Sequence, residues 1–150
     1  SVMNTNLKGI LFACQVFGRH MIDRKSGSVI NIASLSAFVV LHEVTAYGVS
    51  KAGVVALTQY LGCEWATRGV RVNAIAPGFF VTPLNRPLFE KDPARLQRIE
   101  ANTPMGRTGE CRELVGSAVY LASDASSFVT AQVIKVDGGF LAAGLVPPRK

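Results

Sequence analysis

Three short segments constrain this chain most: "SGSVINIAS" at 26–34, "VRVNAIAPG" at 70–78 and "QVIKVDGG" at 132–139. A strand with one wet face alternates apolar and polar residues, whereas adjacent apolar residues, as in Val29-Ile30 and Ala74-Ile75-Ala76, mark strands buried on both faces. Each segment follows a stretch with helical spacing. Residues 4–25 carry Leu7, Ile10, Leu11, Cys14, Phe17, Met21 and Ile22 at three- and four-residue intervals. Residues 46–67 carry Val54, Leu57, Leu61 and Trp65 before Gly69 stops the helix, and residues 110–122 offer Leu114, Val115, Ala118, Val119 and Leu121, with Thr108 or Gly109 near the cap. Helix, strand, helix, strand, helix, strand predicts an α/β fold of the Rossmann type, a doubly wound parallel sheet with helices on both faces.

Between the second strand and the third helix lies "FFVTPLNRPLFEKDPARLQRIEANTPMGRTG", with prolines at 83, 87, 93 and 104 and about two turns of helix near 94–101. Excursions of this length commonly cover active sites. Residues 35–45 read as a loop, no repeat is present, and "LVPPRK" reads as a disordered tail.

With 150 residues, 49% hydrophobic and 17% charged, the chain can pack one core. Three parallel strands make a small sheet, however, and the first helix has no preceding strand to complete its crossover. The chain also opens on Ser1 in a helical pattern. The expectation is that residues 1–150 are the C-terminal part of a single domain, with the N-terminal half missing and the lone sheet edge paired in the whole protein.

No apolar run approaches the roughly 18 residues that span a bilayer, so no membrane role is expected. Cys14, Cys63 and Cys111 are odd in number, far apart and set in apolar helical patterns, which predicts reduced core thiols in a cytoplasmic protein without a metal site. The net charge of +6 comes from dispersed Lys and Arg without interleaved aromatics, so no nucleic-acid partner is expected. A positive field also suits an anionic cofactor or substrate.

One pair stands out in the second helix. Tyr47 and Lys51 in "TAYGVSKAGV" are four apart and project from the same face. A phenol ordinarily ionises near pH 10, and a neighbouring ammonium favours the phenolate, which makes Tyr47 a candidate general acid/base. A packed tyrosine beside a snorkelling lysine gives the same spacing. Ser34 lies just beyond the first strand and Pro77-Gly78 just beyond the second, and open parallel sheets bind ligands outside those strand ends. Ser34 could donate to a carbonyl oxygen there, or cap a turn.

Taken together, "NTNLKG", "INIAS", "AYGVSK", "RVNAIAPGFFVT" and "SDASSFVTAQVIKVDGG", in that order over nearly the whole chain, resemble the short-chain dehydrogenase/reductase family in its single-domain form. The resemblance implies an enzyme that moves a hydride between a nicotinamide, NAD or NADP, and a carbonyl or secondary alcohol. It implies Tyr47 as proton donor or acceptor. Lys51 would tune the phenol and hold the nicotinamide ribose, Ser34 would polarise the carbonyl, and Asn6 would anchor a water in the proton relay. Pro77, Gly78, Phe80 and Thr82 would cradle the nicotinamide. The family's glycine-rich turn and the residue that selects between the two cofactors have no counterpart in these 150 residues, which implies that they alone are inactive. Ala131 stands where the family usually has glycine, and Cys111 where it usually has proline.

"PGFFVTPLNRPLF" and "VDGGFLAAG" are most similar to sugar-acid and polyol dehydrogenases, such as gluconate 5-dehydrogenase-like enzymes. Ser36, His42 and Arg86 are the expected contacts to a small carbonyl or alcohol substrate. Any of Arg86, Arg95, Arg98 and Arg107 could bind a carboxylate. A homotetramer through the helices of Asn6 and Tyr47 is implied as well, with Phe12, Val16, Leu57 and Trp65 as surplus apolar surface. Two alternatives stay open: a non-catalytic interaction fragment, and an epimerase or dehydratase on the same fold.

Overall fold

The computed structural model describes residues 1–143. The tail "LVPPRK" lies outside the described residues. In chain order the helices are α1 (Gly9–Asp23), α2 (Thr45–Ala66), α3 (Arg86–Lys91), α4 (Pro93–Asn102) and α5 (Val115–Ala122). The strands are β1 (Gly27–Ile32), β2 (Val70–Pro77) and β3 (Val133–Val136). They form one parallel sheet in the order β1-β2-β3, the expected doubly wound type.

Helices cover both faces, and the polar residues inside the strands show which helix covers which. Ser28 Oγ donates to the carbonyl of Leu121 at 2.7 Å, and Arg71 Nη2, its register neighbour, donates to the same carbonyl at 3.1 Å, so α5 lies over that face. On the opposite face Cys14 Sγ in α1 contacts Asn31 Oδ1 at 3.9 Å, and Asn31 Nδ2 donates to Thr58 Oγ1 in α2 at 2.9 Å. Ala33, Val54, Ala74 and Ala76 form the buried core of that side, with Leu7 and Ile10 against it. Burying the Asn31 amide is tolerable because both of its ends are bonded.

The core differs from the periodicity in instructive ways. The residues of α2 that are buried are Ser50, Val54, Thr58 and Gly62, one every fourth position, while Leu57, Leu61 and Trp65 are half-buried. Small residues at that spacing let the helix axis approach the sheet closely. Gly62 passes so near the approach to β3 that a Cβ there would stand 2.6 Å from the Ala131 nitrogen. In α1 the buried residues are Cys14 and Gly18, with Phe17 turned out, because Gly18 makes room for the Trp65 ring. Leu57 and Trp65 are therefore engaged within the fold, while Phe12 and Val16 are 57% and 59% exposed.

Four further expectations are corrected. Cys14 is buried, but Cys63 and Cys111 are exposed, because they fall on the outer sides of their helices. The third helix begins as a 3-10 turn, Cys111–Leu114, capped by Glu110 in a reciprocal capping box with Glu113, not by Thr108 or Gly109. A carboxylate can accept the first free N–H groups as well as a hydroxyl does. Val115 and Val119 are exposed, leaving Leu121 to seal that face. The excursion holds α3 as well as α4, each started by a proline in its first turn, where the missing N–H costs nothing. No helix of the described residues is long and apolar enough to cross a membrane.

Candidate active site

The carboxyl ends of the strands gather the residues singled out from the sequence. β1 ends at Ile32, and the next residue, Ala33, donates its N–H to the carbonyl of Ile75 at 2.8 Å. The ladder then stops, because the following partner on β2 is Pro77, which has no N–H. Strand residues alternate in the direction of their peptide groups, so Ile32 turns its carbonyl to the outer edge of the sheet. Lys51 Nζ donates to that carbonyl at 2.7 Å.

This bond anchors the tyrosine-lysine pair. Lys51 is half-buried, and desolvation lowers its pKa from the ordinary lysine value. Its ammonium lies 5.7 Å from the centroid of the Tyr47 ring, and Tyr47 is 37% exposed at the start of α2. Tyr47 and Lys51 thus share one helix face and one electrostatic environment. An ammonium has three donors and Ile32 takes one, so two remain for a ligand.

Asn6 reaches the same turn of α2 through Ser50. Its Nδ2 donates to Ser50 Oγ at 3.3 Å, and Ser50 Oγ donates to the carbonyl of Tyr47 at 2.7 Å. Asn6 sits in a five-residue π-helical turn, Asn4–Lys8, a widened geometry that recurs at functional sites. Ser50, fully buried, was missed from the sequence; a serine three residues beyond a candidate tyrosine, able to bond back to its carbonyl, was the available signal. Ser34 is buried beyond β1, and its Oγ accepts the N–H of Ser36 at 3.2 Å, capping the 3-10 turn Leu35–Ala37. Capping uses an acceptor lone pair and leaves the hydroxyl proton available to donate. Ser36 Oγ is buried without a hydrogen-bond partner among the described residues.

Past Pro77 the chain is held tightly. The Gly78 N–H donates to Val136 at 2.8 Å, and a Cβ on Gly78 would stand 2.6 Å from the Cα of Asp137, so only glycine lets β2 and β3 run together here. Phe80 forms a bridge with Gly109. Asn85 fixes the segment after it: Oδ1 accepts the Thr82 N–H at 2.7 Å and Nδ2 donates to the Phe80 carbonyl at 2.8 Å. The Thr-x-x-Asn spacing in a proline-rich turn was the overlooked signal. Asp137 similarly accepts from the Gly139 and Leu141 nitrogens at 3.0 and 2.9 Å.

A cleft of about 600 Å³ opens at this end of the sheet. Its walls include His42 and Glu43 from the loop after β1, Phe79 from the loop after β2, Arg95 and Arg98 from α4, and Phe140 from the segment after β3. His42 is thus in place beside it. Arg86 is exposed in the first turn of α3 and is not among the cleft's lining residues. Arg107 is committed elsewhere, in a two-pronged pair with Glu113 at 2.7 and 2.8 Å that holds the carboxyl at a pKa of about 2. Among the described residues no group of three or more His, Cys, Asp or Glu is placed to hold a metal ion.

Comparison with known proteins agrees with the fold. The family described as enoyl-(acyl carrier protein) reductase matches residues 1–141. The 2-dehydro-3-deoxy-D-gluconate 5-dehydrogenase of Bacillus subtilis (strain 168) is 43% identical over 140 residues, 93% of this chain and 55% of that protein. The galactitol 2-dehydrogenase (L-tagatose-forming) of Cereibacter sphaeroides is 41% identical over 141 residues, with the same shares of 93% and 55%. The crystal structure of a gluconate 5-dehydrogenase from Burkholderia cenocepacia J2315, in complex with NADP and tartrate, superposes with a TM-score of 0.91 at 40% identity, over 94% of this chain and 55% of that one. The chain spans about half the length of the curated relatives it matches. With a family match over residues 1–141 and a strand-end site of this composition, the chain belongs to the short-chain dehydrogenase/reductase family.

Proposed function

We propose that this chain is the C-terminal part of a single Rossmann-type domain, and that the full-length protein is an NAD(P)-dependent oxidoreductase acting on a secondary alcohol or ketone of a sugar acid or polyol. The observation that carries the reading is the Lys51 ammonium, fixed by Ile32 beside the Tyr47 ring with two donors to spare. The names of several relatives support the substrate class, since they include a galactitol 2-dehydrogenase, a 2-dehydro-3-deoxy-D-gluconate 5-dehydrogenase and a gluconate 5-dehydrogenase, beside 3-oxoacyl-(acyl-carrier-protein) reductases.

The residues present fit the nicotinamide end of a dinucleotide. Lys51 offers its free N–H groups to vicinal ribose hydroxyls, and residues 77–82, pinned by Gly78 and Asn85, offer backbone groups and the Thr82 side chain to a carboxamide. A nicotinamide held there would supply the hydride acceptor in oxidation and the hydride donor in reduction. Phe80 packs against Gly109, where a Cβ would collide with the ring, so its role is to hold the segment's course.

The chain's own residues manage the proton and the oxygen. In alcohol oxidation Tyr47 accepts the hydroxyl proton as the hydride leaves the carbon, and in reduction it gives that proton back. The Lys51 charge lies beside the ring where negative charge develops on the phenol oxygen. Ser34 donates its hydroxyl proton to the substrate oxygen, its acceptor side occupied by Ser36. Asn6, through Ser50, holds the first turn of α2 and offers its amide to a relay water.

The open edge of β1 and the coverage of about half of each relative support the division of the domain, and we expect no useful turnover from the 150 residues by themselves. The exposed Phe12, Val16, Phe17 and Tyr60 on α1 and α2 support self-association of the full-length protein, and we expect a cytoplasmic homotetramer. The test is formation of reduced nicotinamide by the full-length protein with NAD and NADP over a panel of aldonates and alditols. Turnover lost on Ser34→Ala with cofactor binding kept is expected. A protein that binds neither cofactor would overturn the reading.

A further inference from the structure

The excursion over the site offers four arginines, and their surroundings separate them. Arg107 is paired with Glu113, and Arg86 is exposed in the first turn of α3. Arg98 pairs with Asp92 at 3.8 Å and is largely exposed. Arg95 shares the cleft wall with Arg98 but differs from it in exposure and in partner. It is half-buried in the wall of the 600 Å³ cleft, and its guanidinium has no polar partner among the described residues. The nearby carboxylate of Asp92 is already engaged, with Oδ1 on the backbone N–H of Arg95 and Oδ2 toward Arg98.

A half-buried guanidinium without a counter-ion costs free energy until an anion arrives, and its planar donors suit a carboxylate two at a time. Of the other polar groups in the cleft walls, Asp92 and Arg98 are paired with each other, and His42, Glu43 and Asn102 carry hydrogen-bonding atoms suited to hydroxyl groups. Phe79 and Phe140, in edge-to-face contact with centroids 5.3 Å apart, add an apolar surface for the C–H face of a carbon chain. The cleft volume falls within the range of about 300–1,000 Å³ common to small-molecule sites. All three strand-end loops contribute to it, and Phe79 directly follows Gly78.

We infer that Arg95 is the specificity-determining residue of this site, binding the carboxylate of a polyhydroxy acid whose hydroxyl groups lie along His42 and Glu43. The inference deepens the proposed oxidoreductase reading and rests on it for the reacting carbon. Arg95 distinguishes an aldonate from the alditol of the same chain length, because the neutral compound leaves the guanidinium unpaired.

The full-length protein and its Arg95→Gln and Arg95→Lys variants are compared on D-gluconate and on its alditol, glucitol. The glutamine variant is expected to raise KM for gluconate about 10–100-fold while leaving that for glucitol within about threefold, as loss of one charge-assisted contact implies. Lysine is expected to recover part of the gluconate affinity. Equal effects on both compounds, or none on either, would overturn the assignment. A second readout needs no turnover: gluconate titrated into the protein should shift the Arg95 Nε–H resonance, and glucitol should not. Absence of that shift refutes the Arg95 site whether or not the protein oxidises either compound. Absence of turnover with the shift present refutes the oxidoreductase reading alone.

Discussion

Substituting Gly62 by alanine tests how the sheet presents the site. Gly62 lies on the buried stripe of α2, and its added Cβ would meet the nitrogen, Cα and Cβ of Ala131 at 2.6, 2.7 and 2.9 Å. Two of those three atoms are backbone, so no rotamer change relieves the clash. Segment 130–132 would have to move. That segment holds β2 through the Ala131 N–H on Val72 at 2.8 Å and the Gln132 N–H on Asn73 Oδ1 at 3.0 Å, and holds α2 through Thr130 Oγ1 on the Gly62 carbonyl at 3.1 Å. Overpacking a tight core costs about 1–3 kcal/mol, and one weakened hydrogen bond adds about 1 kcal/mol. The better helix propensity of alanine returns about 1 kcal/mol. The net expectation is a loss of about 2 kcal/mol, read as a lower urea midpoint at unchanged m-value. Ala131 supplies the control, since its φ of 60° places a non-glycine residue in the left-handed region. Ala131→Gly should stabilise by about 0.5–1 kcal/mol, strain relief outweighing the extra freedom of the unfolded chain. In the double variant the backbone atoms of residue 131 still stand in the way of the new methyl group, so the glycine should recover only its own increment. Gly62→Ala as stable as the parent, or a double variant that recovers fully, would refute this account of the close approach.

Two further outcomes follow from the charged groups. Lys51→Met should keep the fold within about 1 kcal/mol, the lost bond to Ile32 offset by removal of a half-buried charge, while turnover falls about 100–1,000-fold; urea unfolding and steady-state assays check the two halves. Since burial lowers the folded-state pKa of Lys51, the unfolded chain holds more protons as pH approaches the ordinary lysine value of 10.5. Parent stability should therefore rise with pH in that window, and Lys51→Met should lack this contribution. Glu113, held at a pKa of about 2 by Arg107, should stay ionised until pH falls through that value. Its contribution to stability is present above the unfolded carboxylate pKa and is lost toward pH 2, and in Arg107→Gln an NMR titration should find the carboxyl moved up toward its ordinary value.

The fold was legible because burial on two faces leaves a plain mark in the sequence: β1 and β2 lie within a residue or so of "SVINIA" and "VRVNAIAP". The packing inside it was less so. Periodicity pointed to Leu57, Leu61 and Trp65, but close approach of α2 to the sheet selects the small residues Ser50, Thr58 and Gly62, which carry no hydropathy signal. The pairing of Tyr47 with Lys51 could be read from helical geometry, whereas the bond from Lys51 to Ile32 could not, because it depends on where Pro77 ends the ladder. Among the arginines the sequence favoured Arg86 and left Arg95, Arg98 and Arg107 beside it. Arg86 lies exposed outside the cleft, and Glu113 for Arg107 and Asp92 for Arg98 set Arg95 apart from the other two.

The most direct test of the central claim is Tyr47→Phe in the full-length protein, measured as hydride transfer to NAD or NADP together with cofactor affinity. Phenylalanine keeps the ring beside Lys51 and removes only the proton-carrying oxygen. The account predicts that kcat falls by about 100-fold or more, in the range of a lost general acid/base, with the dissociation constant of the cofactor changed less than about threefold. A variant that retains most of the parent's kcat would contradict it.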